Sequence, residues 1–101
     1  MEKAIIHWNS KLAKLILPRK FIAITFGKQI FIKRMPEEIE ELSRERLLRH
    51  EKKHSEQYAR YGFIGFLIRY LILWIKYGYK DHPLEIEARL AENSSLDHYE
   101  A

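Results

Sequence analysis

The sequence predicts an α+β domain: a small antiparallel β-hairpin or sheet packed on three to four helices. Two runs of β-branched and aromatic residues flank a Gly27-Lys28 pair. Segments of helical periodicity lie on either side of them, and Pro and Gly punctuate the boundaries. The 101 residues suffice for one domain and not two, so residues 1–101 are read as one unit ending in a short tail, residues 94–101.

Each element has its own signal. Ile5, Ile6, Trp8, Leu12, Leu15 and Ile16 recur at near-helical spacing, which predicts an amphipathic helix that ends before Pro18. Residues 21–26 and 29–33 then read as two strands joined by a tight turn. Such a hairpin is marginal alone and needs a helix against one face. Pro36 opens the next helix, with Glu37, Glu38, Glu40 and Glu41 near its start, where the helix dipole favours negative charge. Basic residues from Arg44 to Arg60 follow, and the helix runs to about Tyr61 and stops at Gly62, with Ser43 the place for a kink or break. Residues 63–77 form a second helix, apolar on most faces and therefore expected to be buried, its Tyr70, Trp74 and Tyr77 in the core. Gly78 ends it. Asp81-His82-Pro83 starts a third helix, with Asp81 or His82 as cap and Pro83 in the first turn, and Asn93 closes it.

Composition narrows the function. There is no cysteine, so disulfides and thiolate metal sites are both excluded, and any metal must be held by His, Asp or Glu. The net charge of +4 comes from basic residues scattered beside a block of glutamates, which does not predict a nucleic-acid partner. The most apolar run, residues 63–75, is interrupted by Arg69 and is too short to span a bilayer. It shows little charge segregation, so burial is expected in place of membrane insertion. Lys3, Lys11 and Lys14 break the apolar stretches near the N-terminus, and no secretory cleavage pattern follows. The expectation is a cytoplasmic protein, monomeric or dimeric through its C-terminal segment.

Residues 50–54 read His-Glu-Lys-Lys-His. On a helix, His50 and His54 are one turn apart on one face, so both imidazoles reach one metal ion. Glu51 sits about 100° round the helix, where it can touch a metal-bound water without binding the metal. Leu47 shares the side of the two histidines, as a buried site requires. A catalytic zinc site needs a third protein ligand. Glu85 and Glu87 are the candidates; two residues apart on a helix, they face roughly opposite ways. Ala88 shares a side with Glu85, where a small residue permits close helix approach, and this favours Glu85 while leaving Glu87 as the alternative.

His50-Glu51-x-x-His54 with Gln57 following, then an apolar helix, then Pro83-x-Glu85-x-Glu87-Ala88, resembles the gluzincin zinc metallopeptidases. The likeness is greatest to the very small members called minigluzincins, and extends to the catalytic cores of membrane-embedded relatives. It covers residues 21–89. It implies a zincin-like fold, a Zn2+ cofactor, His50, His54 and Glu85 as metal ligands, and Glu51 as general base. Ala88 falls on an alanine of the family motif. The aspartate expected after that alanine is Arg89 here, so the carboxylate that steadies a ligand histidine in relatives is missing from its usual place.

The function this predicts is hydrolysis of peptide bonds in a peptide or protein substrate, by a zinc-activated water with Glu51 moving the proton. Tyr77, Tyr79, His82 and Arg89 are the candidate stabilisers of the oxyanion. The strand at residues 29–33 is the expected edge for an extended substrate. The tail carries Asp97, His98 and Glu100, and minigluzincins resemble zymogens blocked by their C-terminal segments, so the tail is a candidate inhibitor. The competing class is a non-catalytic helical interaction module whose His-Glu-x-x-His is accidental or decayed.

Overall fold

The computed structural model describes residues 4–93. Among them the order is β1 (Ile5–His7), α1 (Lys11–Ile16), β2 (Ala23–Phe26), β3 (Gln29–Ile32), a 3-10 turn (Pro36–Glu38), α2 (Glu41–Tyr61), α3 (Phe63–Tyr77) and α4 (Pro83–Glu92). The fold is α+β: a three-stranded mixed sheet with four α-helices.

The sheet is larger than the expected hairpin. Its order is β1-β3-β2, with β1 parallel and β2 antiparallel to β3. The helix expected across residues 5–16 is therefore cut. Asn9 adopts a left-handed conformation (φ 50°), which asparagine tolerates better than most residues, and turns the chain out of the strand. Ser10 then caps α1 by accepting from the Ala13 amide at 3.1 Å. Asn9-Ser10 was a turn-and-cap signal within a stretch whose periodicity alone suggested continuous helix. The β2–β3 turn requires positive φ at its first position, and Gly27 provides it (φ 61°). The consequence for binding is that β3 is paired on both sides. The edge expected at residues 29–33 is therefore not free, and the edge strands are β1 and β2.

The long second helix is interrupted at residues 39–40, not at Ser43. Glu40 caps the new start, its carboxylate accepting from the Leu42 and Ser43 amides at 2.7 and 3.3 Å. At Gly62 (φ 78°) the chain bends by 113° and α3 begins at once. Gly78 (φ 76°) ends α3, and His82 caps α4 by accepting the Leu84 amide on Nδ1 at 3.2 Å.

Ile30 and Ile32 are fully buried on one face of the sheet, Tyr58, Phe66 and Leu84 join α2, α3 and α4, and the buried Ala88 and Ala91 lie in α4. The expectation for α3 is overturned. Phe66 is its one buried residue, Tyr70 and Leu73 pack partly against the core, and Trp74 and Tyr77 are exposed. A helix apolar on all faces buries them all only if partners surround it, and a chain this short has too few elements for that. No single helix among the described residues is long and apolar enough to cross a membrane.

Ile30→Ala, in the central strand, should lower the unfolding free energy by about 2–5 kcal/mol, since it removes transfer energy and leaves a cavity. Leu15→Ala, at an exposed position, should change it by no more than about 0.5 kcal/mol. Urea midpoints of the two variants measure the contrast.

Candidate metal centre

α2 and α4 run against each other, and their contact surface carries the cluster. On α2, His50, Glu51, His54 and Gln57 are all buried. On α4, Glu85 is buried in the first turn. His50 Nε2 lies 2.9 Å from Glu85 Oε1, and His54 Nε2 lies 3.1 Å from the same atom. One ligand atom from each of His50, His54 and Glu85 falls within 4.8 Å of the others. Glu87 faces away: it takes a hydrogen bond from Gln57 at 2.7 Å and pairs with Arg60 at 3.2 Å.

What orients the rings is behind them. His50 Nδ1 lies 2.5 Å from Glu92 Oε2, and because a carboxylate accepts, Nδ1 carries the proton. His54 Nδ1 lies 2.9 Å from Gln57 Oε1. The Gln57 amide orientation is fixed, because its Nε2 donates to the Leu84 carbonyl at 3.0 Å and to Glu87. Each ring thus donates outward from Nδ1 and turns Nε2 inward to one point. This is the arrangement in which metal-binding histidines are held. The observed N···O separations are close to the ~3.3 Å edge of a tetrahedron built on bonds of ~2.05 Å, the zinc–imidazole length. The donor set, two imidazoles and a carboxylate with no thiolate, suits zinc.

The electrostatics follow from burial and pairing. Burial alone disfavours a charged His50, but its bonds to Glu85 and Glu92 and the nearby Glu51 outweigh that and hold its pKa up at about 9. His54 is raised in the same way, with Glu85 the main opposing influence to burial. Burial pushes Glu85 upward, yet hydrogen bonds from both histidines and from the Tyr70 hydroxyl pull it well below the ordinary carboxylate range. Glu51 is different. Burial raises its proton affinity, and the histidines and Thr25 only partly offset that. Thr25 in β2 donates to Glu51 Oε1 at 2.8 Å and also approaches the Glu51 carbonyl, so the sheet itself positions this carboxylate.

An open cleft of about 830 Å3 lies over the cluster. All four residues of β2 line it, with Leu47 and Trp74 among its apolar walls and His50, Glu51, His54 and Glu85 facing into it. Of the four residues expected near an oxyanion, Tyr79 lines this cleft, its hydroxyl kept protonated by burial and the nearby Glu85 with a pKa of about 12. His82 is fully buried and uses both ring nitrogens, one as the α4 cap and one toward the Tyr70 carbonyl at 2.9 Å. Arg89 donates to the Lys80 carbonyl and sits over the Tyr79 ring. Tyr77 is exposed on α3 beside Lys76. Asp97, His98 and Glu100 lie outside the described residues.

Glu92, Tyr70 and Thr25 join the cluster although the sequence assigns none of them to it, marking Tyr70 only as a core residue. Glu92 had a signal: seven residues after Glu85, it lies about 20° from it round the helix and so on the same face. It provides the carboxylate that the Arg89 position lacks. Tyr70 and Thr25 had none, because only the fold brings another helix and a strand to these atoms.

Glu92→Ala should weaken divalent metal binding by about 10–100-fold, the usual effect of removing a carboxylate behind a ligand histidine. Arg89→Ala should leave binding within about twofold, since among the described residues Arg89 contacts a backbone carbonyl and a ring outside the cluster. Competition against a chromophoric chelator separates the two.

No family model matches the chain, and no curated protein or solved structure is significantly similar to it.

Proposed function

We propose that this chain is a zinc-dependent metallopeptidase of the gluzincin kind, with His50, His54 and Glu85 as ligands and Glu51 as general base. One observation carries the reading. Two imidazoles, each fixed from behind on Nδ1, point their Nε2 atoms at one carboxylate oxygen of Glu85, with a second buried glutamate, Glu51, held beside them by a threonine. Ordinary buried histidines need no such convergence.

Zinc held there would supply Lewis acidity toward a water and toward a substrate carbonyl. The protein's own residues do the rest. Glu51 takes a proton from the attacking water as the new C–O bond forms. It returns that proton to the amine nitrogen as the C–N bond breaks, so the net change is addition of one water across the peptide bond. Thr25 keeps the Glu51 carboxylate in position through both transfers. Tyr79, on the cleft wall, is the hydroxyl suited to stabilise the oxyanion. The Tyr70 hydroxyl is committed to Glu85 and steadies the ligand. A peptide substrate suits the cleft because the outer edge of β2 has no strand partner among the described residues and can pair with an extended chain. The tail at residues 94–101 is proposed to block this cleft, so that shortening the chain to Asn93 raises hydrolysis.

Zinc per chain and hydrolysis of a fluorogenic peptide library test the reading together. Wild type should hold about one zinc. His54→Ala and Glu85→Ala should lose it, and Glu87→Ala should keep it. Glu51→Gln should keep zinc and lose about 10²–10⁴-fold in turnover. A wild-type chain that takes up no zinc on reconstitution, or a Glu51→Gln variant as active as wild type, contradicts the proposal. Zinc uptake is informative even if the tail makes the full chain latent.

A further inference from the structure

The core side of α3 is used: Phe66, Tyr70 and Leu73 pack inward. Among the described residues nothing covers its outer side. Ile64, Ile68, Leu71, Ile72 and Ile75 are 63, 54, 61, 57 and 77 % exposed. They stand at i, i+4, i+7, i+8 and i+11, so they form one stripe along one face. A continuous apolar face of this size is unusual on a soluble monomer and marks an interaction surface.

The charges beside the stripe have one sign. Arg69 and Lys76, seven residues apart, share one flank of it. No Asp or Glu occurs from residue 61 to residue 80. Lys20 lines the same cleft as Leu67 and Leu71 and belongs to a segment, residues 4–36, that holds seven Lys and Arg and no acidic residue. Charge segregation on α3 is therefore present, although it is hidden in the linear sequence, and the burial expected for this helix is absent.

We infer that α3 docks along this stripe on an anionic lipid bilayer, lying in the interface with Arg69 and Lys76 at the headgroups. The helix is about 22 Å long, short of the roughly 30 Å hydrocarbon core, so it lies on the membrane and does not cross it. A second copy of the chain is the less suitable occupant. An antiparallel symmetric pairing through the stripe sets the basic flank of one copy against the same flank of the other, with no acidic residue on α3 to compensate. Arg69 and Lys76 each sit over a tyrosine ring, Tyr61 and Tyr77, and have no carboxylate partner among the described residues; anionic headgroups supply the opposite charge. The surface does not depend on the metal centre, and its test is independent of hydrolysis.

The full chain is sedimented with vesicles of phosphatidylcholine alone and of phosphatidylcholine mixed with phosphatidylglycerol, and its mass is measured without lipid. A lipid-free monomer that pellets with the mixed vesicles, less so as salt rises, is the expected result. Ile72→Glu with Ile75→Glu should reduce that partitioning by more than about a hundredfold without changing the circular dichroism spectrum. Arg69→Gln with Lys76→Gln, which leaves the stripe intact, should reduce it roughly ten- to thirtyfold on the mixed vesicles only. No pelleting with either vesicle, or pelleting unaffected by the paired glutamates, overturns the inference. A lipid-free dimer that the paired glutamates dissociate also overturns it, and assigns the stripe to a second copy.

Discussion

His50 and His54 point at one oxygen of Glu85 because each ring is gripped from the far side, one by Glu92 and the other by Gln57. Everything else in the molecule has to accommodate this convergence. Two imidazoles and two carboxylates within one buried cluster are costly to desolvate, and they persist only where every lone pair and proton finds a partner. The partners come from three elements besides α2. Glu85 and Glu92 are on α4, Tyr70 is on α3, and Thr25 is on β2.

The packing serves that requirement. α4 carries its small residues Ala88 and Ala91 on the buried side, and this allows the close approach that puts Glu85 against the two histidines. Arg49 donates to the Glu92 carbonyl at 3.1 Å, satisfying a C-terminal carbonyl of α4 and holding that end to α2. The bend at Gly62 folds α3 back, so that Tyr58, Phe66 and Leu84 form the apolar floor beneath the site. The cost of placing so much polar machinery in a small chain is visible on α3. Its inner side is consumed by the site, and among the described residues nothing covers its outer side. Lipid docking of that side would hold the cleft mouth, whose wall includes Leu67 and Leu71, close to the membrane surface.

The parts of this arrangement that were legible in the sequence are those written within one helix. His50, Glu51 and His54 share a helix, and so do Glu85 and Ala88, so residue spacing alone put each set on a face. The hairpin was legible because Gly27-Lys28 sits between two strand-forming runs. Three features were not legible, each for a physical reason. The strand at Ile5–His7 has too few residues to show a period of two, and it forms because β3 offers it an edge. The exposure of α3 depends on how many elements surround it, which no local pattern encodes. The Tyr70 and Thr25 contacts join residues far apart in the chain, so only the tertiary fold defines them. Glu92 is intermediate: its spacing from Glu85 was readable, but its purpose emerges only once His50 is placed behind it.

Zinc-edge X-ray absorption on the full chain loaded with one equivalent of zinc tests most directly whether the metal sits on His50, His54 and Glu85. Zinc on His50, His54 and Glu85 should show a four-coordinate shell of nitrogen and oxygen at about 2.0–2.1 Å, with the outer-shell scattering of two imidazoles, reduced to one imidazole in His54→Ala. A six-coordinate oxygen shell without imidazole scattering, or a spectrum unaltered by His54→Ala, would place the metal elsewhere and contradict this assignment.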